Sequence, residues 1–106
     1  LNYNDIWGMR GQPVAVPLPH VSGSDAAGEV IAVGEDVTNF KVGDRVVSHS
    51  NMSCRVCSAC TDGREFDCIK RTIWGFQTGP TWGAYSEITH LPEVNVSKIP
   101  DNVSFD

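Results

Sequence analysis

Apolar positions fall in short clusters separated by glycine and proline, and none sustains a long helical repeat. The first ten residues mix Leu1, Ile6, Trp7 and Met9 with polar side chains, a pattern open to a helical turn but too short for periodicity to assign. Pro13, Pro17 and Pro19 fix three backbone torsions and remove three donors, so residues 12–20 are expected to run as an extended surface loop or edge segment. Residues 28–34 form a β-branched run between two glycines and predict a buried strand that Gly34 turns. From Phe40 to Val47 a Gly43-Asp44 turn signal precedes β-branched residues, which predicts a turn feeding a second strand, and hence a meander. Ala84 to Thr89 alternates and predicts a further strand, followed by a short Val94-Asn95-Val96 segment that ends before Pro100.

From Ser48 to Trp82 the apolar density falls, and Cys, Gly, Ser, Thr and Asp take over for 35 residues. A stretch of that length without periodicity is uncommon in a compact domain unless something organises it, and the cysteines lie inside it. There is no internal repeat and no low-complexity tract. The pattern as a whole predicts a mainly β fold with short strands, glycine turns, few short helices and one irregular cysteine-bearing lobe.

Composition narrows the function. The 106 residues hold 8 Lys+Arg against 13 Asp+Glu, a net charge of −5, and 41% are hydrophobic, as in one soluble globular unit. The acidic balance and scattered basic residues argue against nucleic acid or an anionic membrane as partner. The longest apolar run, Val30 to Val33, is far short of the roughly 20 residues that span a bilayer, and no secretory leader opens the chain, so a reducing, cytoplasmic compartment is expected. A chain this short buries only about 60 to 70% of its unfolded surface, which makes an added staple unsurprising. It begins at Leu1 rather than Met and closes on a polar stretch, residues 101–106, so it is expected to be a piece of a longer protein.

Cys54, Cys57, Cys60 and Cys68 are all the cysteines of the chain and form Cys-x2-Cys-x2-Cys-x7-Cys. Two-residue spacers let successive thiolates converge, and the longer arm through Gly63 can swing in the fourth sulfur to complete a tetrahedron. Zn²⁺ suits four thiolates at about 2.3 Å, and a site with no open position is structural rather than catalytic. Two disulfides would need strained Cys-x2-Cys bridges and an oxidising compartment. The bacterial ferredoxin run places its fourth cysteine three residues on and follows it with Pro, whereas Ile69 follows Cys68 here. Four thiolates and one Zn²⁺ carry −4 + 2 = −2, taking the formal −5 to −7; Arg55, Arg64, Lys70 and Arg71 could offset this locally, or could be solvated surface charges. With Asp62, Glu65 and Asp67 interspersed, the lobe offers no phosphate-binding face.

Residues Gly23 to Val37, Gly43-Asp44-Arg45-Val46, the cysteine lobe and Gly83-Ala84-Tyr85-Ser86-Glu87 together closely resemble the GroES-like substrate domain of medium-chain, zinc-containing alcohol dehydrogenases and their quinone reductase relatives. The resemblance covers essentially the whole chain. It implies a partly open β-barrel with a zinc-binding lobe at about residues 48–82, joined in the parent protein to a Rossmann domain that binds NAD(P)H. No Gly-x-Gly occurs in the chain, so the dinucleotide fingerprint is absent, and residues 1–106 are expected to be a partial substrate domain that is inactive alone.

The active-site positions depart from the zinc branch. Members with a catalytic zinc carry a Cys three residues before an Asp, and a His-Glu pair after a glycine; the matching places here hold Asn2 before Asp5, and Ser24-Asp25 after Gly23. An amide, a hydroxyl and a carboxylate make a poor Zn²⁺ site, so the resemblance implies that the catalytic metal is lost while the structural one is kept. Asn2, Asp5 and Trp7 look like the metal-free quinone reductase branch. On that reading Asn2 donates through its amide, Ser24 is a second candidate donor, Asp5 orients the neighbourhood, Asp25 is counted with these catalytic residues, and Trp7 shapes the substrate pocket. Each also has a structural alternative: Asn2, Asp5, Ser24 and Asp25 as cap or turn residues, Trp7 as core. His20, His49 and His90 are expected to be structural, and Tyr3 and Tyr85 have no partner that spacing can supply.

The sequence thus leads to part of an NAD(P)H-dependent oxidoreductase that reduces carbonyls, quinones or enones, with one structural zinc, a small-molecule substrate and a homo-oligomeric parent. The competing expectation is a zinc-stabilised, non-enzymatic β module without cofactor binding.

Overall fold

The computed structural model describes residues 1–76 and 82–105. Helix α1 spans Tyr3–Arg10; the strands are β1 (Ala27–Glu29), β2 (Arg45–Ser48), β3 (Asn51–Met52), β4 (Thr72–Ile73) and β5 (Val96–Lys98), and helix α2 covers Ser58–Thr61. The fold is the GroES-like one, short strands with few short helices. Among the described residues no helix is long and apolar enough to cross a membrane.

The principal sheet is antiparallel in the order β1-β2-β5, with Gly28 opposite Val46 and Val47 opposite Ser97. The predicted turn closes β1 onto β2: Gly43, at φ +89°, donates to Val30 O at 2.8 Å, and Val30 N donates to Asp44 O at 2.9 Å. Only Gly can take that torsion without a Cβ penalty. The turn also corrects the strand expected at residues 28–34. Pairing with β2 ends at Glu29, opposite Arg45, and Val30 bonds to the turn residues, so Ile31 and Val33 lie past the ladder and are exposed at 61% and 45%.

The strand expected at residues 84–89 does not form either. Ser86 Oγ donates to Ile88 O at 2.9 Å, a local bond that competes with a ladder, while Tyr85 N is taken by Ser22 O at 2.9 Å. At the other end, α1 is set by its caps rather than by an apolar stripe. Asn2 Oδ1 accepts from Asn4 N at 3.0 Å, Asp5 Oδ2 accepts from Asn2 N at 3.0 Å, and Gly11 closes the helix in the left-handed region at φ +63°. Residues 12–20 carry no regular structure, as the prolines require.

The cysteine lobe is framed by β3 and β4, paired Asn51 to Ile73 and Met52 to Thr72. Asn95, 2% exposed, fastens it to the main sheet: its amide donates to His49 O and Asn51 O, both at 2.9 Å, directly before β5 begins. At the junction lies Trp74, fully buried, with its backbone N–H on Ser50 O and its indole N–H on Trp82 O at 2.8 Å. Burying so large a ring is favourable only because that N–H is satisfied.

Candidate functional sites

Three glycines make the crossing that positions the first site. Gly83 N donates to Val21 O and Ala84 N to Gly23 O, both at 2.8 Å, so the 83–85 segment lies directly along residues 21–23. A Cβ on Gly75, at φ +69°, would collide with the Gly23 carbonyl, and one on Gly83 with the Ser22 carbonyl. His20 lies at the same crossing, its Nε2 bonded to Gly75 O at 2.9 Å, the structural role expected of it.

This crossing gathers four distant residues. Asp5 Oδ1 accepts from Gly23 N at 3.1 Å, and Asp5 Oδ2 accepts from Asn2 N at 3.0 Å and from the Tyr85 hydroxyl at 2.8 Å. Asn2 Nδ2 donates to Asp25 Oδ2 at 2.9 Å. Asn2, Asp5 and Asp25 are therefore drawn into one hydrogen-bonded group, and the capping alternative holds for Asn2 and Asp5 at the same time. Ser24 is 2% exposed, and its Oγ has no hydrogen-bond partner among the described residues. Asp5 is only 9% exposed. Tyr85 is the member that spacing did not reveal, being 80 residues from Asp5. Its phenol holds its proton to higher pH than usual, first because it donates to the Asp5 carboxylate and then because of desolvation.

Beside the group lies an open, largely apolar cleft of about 540 Å³, lined by Asn2, Tyr3, Asp5, Ile6, Met9 and Tyr85 among others. Trp7 stands outside this lining, half exposed, with its ring edge-to-face on Tyr3 at 5.2 Å. A second cavity of about 650 Å³ lies against the main sheet, with Val30, Val46, Trp74 and Ile88 in its wall, and contains none of the predicted catalytic residues.

The second site is the cysteine cluster. All four thiols are free, and their sulfurs lie within 4.8 Å of one another, with Cys57–Cys60 at 3.4 Å, Cys54–Cys68 at 3.5 Å and Cys54–Cys60 at 3.9 Å. A regular tetrahedron with 2.3 Å bonds has edges of about 3.8 Å, so the cage already has the dimensions of a Zn²⁺ or similar thiophilic site. The backbone supplies compensation for negative charge. N–H groups of Val56 and Cys57, followed by the Cys68 side chain, pull the Cys54 thiol down to about 6, and Cys54 N points at Cys68 Sγ at 3.5 Å. Burial, followed by Cys57, pushes Cys60 up to about 11. Thiols this close cannot all ionise unless a cation joins them.

The arginines are used differently from the charge-balancing role open to them in the sequence. Arg55 pairs with Glu65 at 3.0 Å, Arg64 with Asp67 at 2.9 Å, and Arg71 donates to Phe66 O at 2.8 Å. They brace the lobe's own turns, and backbone N–H groups face the sulfurs.

An Asp-centred crossing and a four-sulfur lobe thus stand together on a GroES-like scaffold. The chain belongs to the alcohol dehydrogenase GroES-like domain family, whose model matches residues 1–101. It is 36% identical over 105 residues to an L-threonine 3-dehydrogenase of Salmonella gallinarum, covering 98% of this chain and 29% of that protein. Among solved structures it superposes on an NAD-dependent alcohol dehydrogenase with a TM-score of 0.91 at 40% identity, covering 99% of this chain and 30% of the other. It also superposes on an alcohol dehydrogenase from Thermus sp. ATN1 with a TM-score of 0.86 at 29% identity, covering 99% and 31%. The chain thus spans about 29% of the length of the curated relatives it matches.

Proposed function

We propose that this chain is the substrate-domain portion of an NAD(P)H-dependent medium-chain reductase acting on carbonyl, quinone or enone acceptors, with one structural zinc and no catalytic zinc. The observation that carries the reading is the Asn2–Asp25 hydrogen bond, formed where, by the resemblance, members with a catalytic zinc carry a Cys and the Glu of a His-Glu pair. An amide engaged with a carboxylate, followed by a serine where those members have histidine, is a donor set suited to hydrogen bonding rather than to Zn²⁺.

A nicotinamide bound by a Rossmann domain of the parent protein would supply the hydride. This chain's part is to receive the acceptor in the cleft beside α1 and to stabilise the charge that develops on its oxygen. Asn2 has two amide N–H bonds, and one is committed to Asp25, which leaves one for the acceptor. The Ser24 hydroxyl is also uncommitted, but it is buried and lies outside the lining of this cleft. A quinone or enone spreads its developing charge over several atoms and needs less help than a simple ketone.

Cys54, Cys57, Cys60 and Cys68 would hold the zinc, which supplies a closed cross-link for a lobe that has little apolar core of its own. The parent is proposed to be a homo-oligomer working in a reducing compartment such as the cytoplasm.

The test is turnover by the full-length polypeptide with NADH or NADPH and a panel of ketones, quinones and enones, alongside metal analysis. Reduction of a quinone or enone with close to one zinc per chain is expected. Two zincs per chain would overturn the metal-free reading of Asn2, Ser24 and Asp25. Coding sequence beyond residue 106 that lacks a dinucleotide fingerprint would favour a non-enzymatic module.

A further inference from the structure

We propose that Tyr85 is a positioning residue for the Asn2–Asp25 pair and acts through Asp5. This rests on the reductase reading, and it adds a residue to the site that neither motif nor spacing supplied.

One buried carboxylate collects donors from three parts of the chain. Asp5 Oδ1 takes Gly23 N at 3.1 Å from the turn that leads into Ser24-Asp25. Asp5 Oδ2 takes Asn2 N at 3.0 Å from the start of α1, and the Tyr85 hydroxyl at 2.8 Å from the crossing segment. Tyr85 is itself fixed by its backbone N–H on Ser22 O at 2.9 Å, next to Ala84 N on Gly23 O. The contacts form a closed circuit from Tyr85 to Asp5, to Gly23 and Ser22, and back to Tyr85. The Asn2 amide spans two arcs of it, since its residue is tied to Asp5 and its Nδ2 is tied to Asp25.

The two kinds of donor do separable work. The bonds from Asn2 N and Gly23 N join backbone to Asp5 and hold the fold. The phenol is the one side-chain donor on Asp5 among the described residues, and it shares Oδ2 with Asn2 N, tying the carboxylate to the 83–85 segment as well as to the start of α1 and the Gly23 turn. Without it, Asp5 keeps one backbone bond on each oxygen but loses its tie to the 83–85 segment, so the start of α1 and the Gly23 turn, which carry Asn2 and Asp25, are held to the crossing less firmly. Hydrogen bonds to an ionised group are among the stronger ones, and small losses of alignment at a reacting centre reduce rate more than affinity. Tyr85 touches no reacting atom in this scheme. Its effect passes through Asp5 to Asn2.

The experiment is Tyr85→Phe in the full-length polypeptide, with steady-state kinetics, zinc content and ¹⁵N-edited NMR of the Asn2 side-chain amide. The expected results are a fall in kcat of about tenfold or more with acceptor KM within about twofold, and Asn2 amide protons that exchange about tenfold faster. Zinc content should not change. An unchanged kcat, or a raised KM with kcat preserved, overturns the proposal, the latter by making Tyr85 a direct substrate contact. A variant that fails to fold also overturns it, because the hydroxyl is then a stability element. If the wild-type protein oxidises no NAD(P)H with any acceptor, the reductase reading fails by itself. The amide exchange then decides the structural claim, with faster exchange upholding it and unchanged exchange overturning it.

Discussion

The side-chain amide of Asn2 serves two masters: its oxygen caps α1 through Asn4 N at 3.0 Å, and its nitrogen donates to Asp25 Oδ2 at 2.9 Å, 23 residues away. The helix terminus and the Ser24-Asp25 turn are therefore linked through a group that also borders the cleft. Stability and chemistry can be separated because they use different atoms of one residue.

Asn2→Ser keeps an oxygen able to cap the helix but removes the amide donor. Its stability to denaturant should stay within about 0.5 kcal/mol of wild type, whereas Asn2→Ala should lose about 1 kcal/mol. Reductase turnover in the full-length protein should fall in both. A Ser variant with undiminished turnover would remove Asn2 from the catalytic scheme.

Chelation or any single Cys→Ser change among Cys54, Cys57, Cys60 and Cys68 should abolish zinc binding and disorder residues 48–76, read as loss of amide dispersion there. Small zinc modules draw about 10 to 16 kcal/mol from the metal, more than most domains have in reserve. Because the ligands must be thiolates, zinc content should fall as the solution is acidified. Retention of structure without metal would contradict the scaffold role.

Gly75→Ala should be severely destabilising, because it combines a φ of +69° with a Cβ driven into the Gly23 carbonyl. Backbone cannot yield there without breaking the 83–85 crossing, so a loss above about 2 kcal/mol is expected in thermal or chemical unfolding. Gly28→Ala is the control, since its Cβ would meet nothing within 4 Å, and it should be neutral or slightly stabilising. Equal effects at the two sites would show that the crossing is not tight.

Asp44 sits at the turn between β1 and β2, where its carboxylate accepts from Lys41 N at 3.0 Å and pairs with Lys41 Nζ and with Lys98 Nζ at 3.0 Å. These bonds, those of Lys41 foremost, hold its carboxyl far below the ordinary carboxylate range. A lowered folded-state value contributes stability that is fully present above about pH 4, the unfolded value, and is lost as pH falls toward the folded one. Asp44→Asn should therefore flatten the acid limb of a stability-against-pH curve and leave its shape near neutrality unchanged. An acid limb identical to wild type would place the titration elsewhere.

The cysteine lobe shows what local sequence can determine. Two-residue spacers restrict where successive sulfurs can go, and the four do converge within 4.8 Å. The Gly43-Asp44 turn and β2 were legible for the same reason, since a turn needs only its own residues. The strands expected at 28–34 and 84–89 failed because a strand exists only with a partner. Pairing stopped at Glu29, and the bonds from 83–85 to residues 21–23 give way at Ser86 to a local bond from its Oγ to Ile88 O.

What the sequence by itself determined is the chemistry available: four thiols at metal spacing, an amide at Asn2, a hydroxyl at Ser24 and a surplus of acidic side chains. What tertiary structure alone decided is which of these groups meet. Asn2, Asp5, Asp25 and Tyr85 assemble because Gly23, Gly75 and Gly83 let three backbone segments approach more closely than any side chain would allow. That proximity depends on backbone path, and no spacing between residues 5 and 85 encodes it.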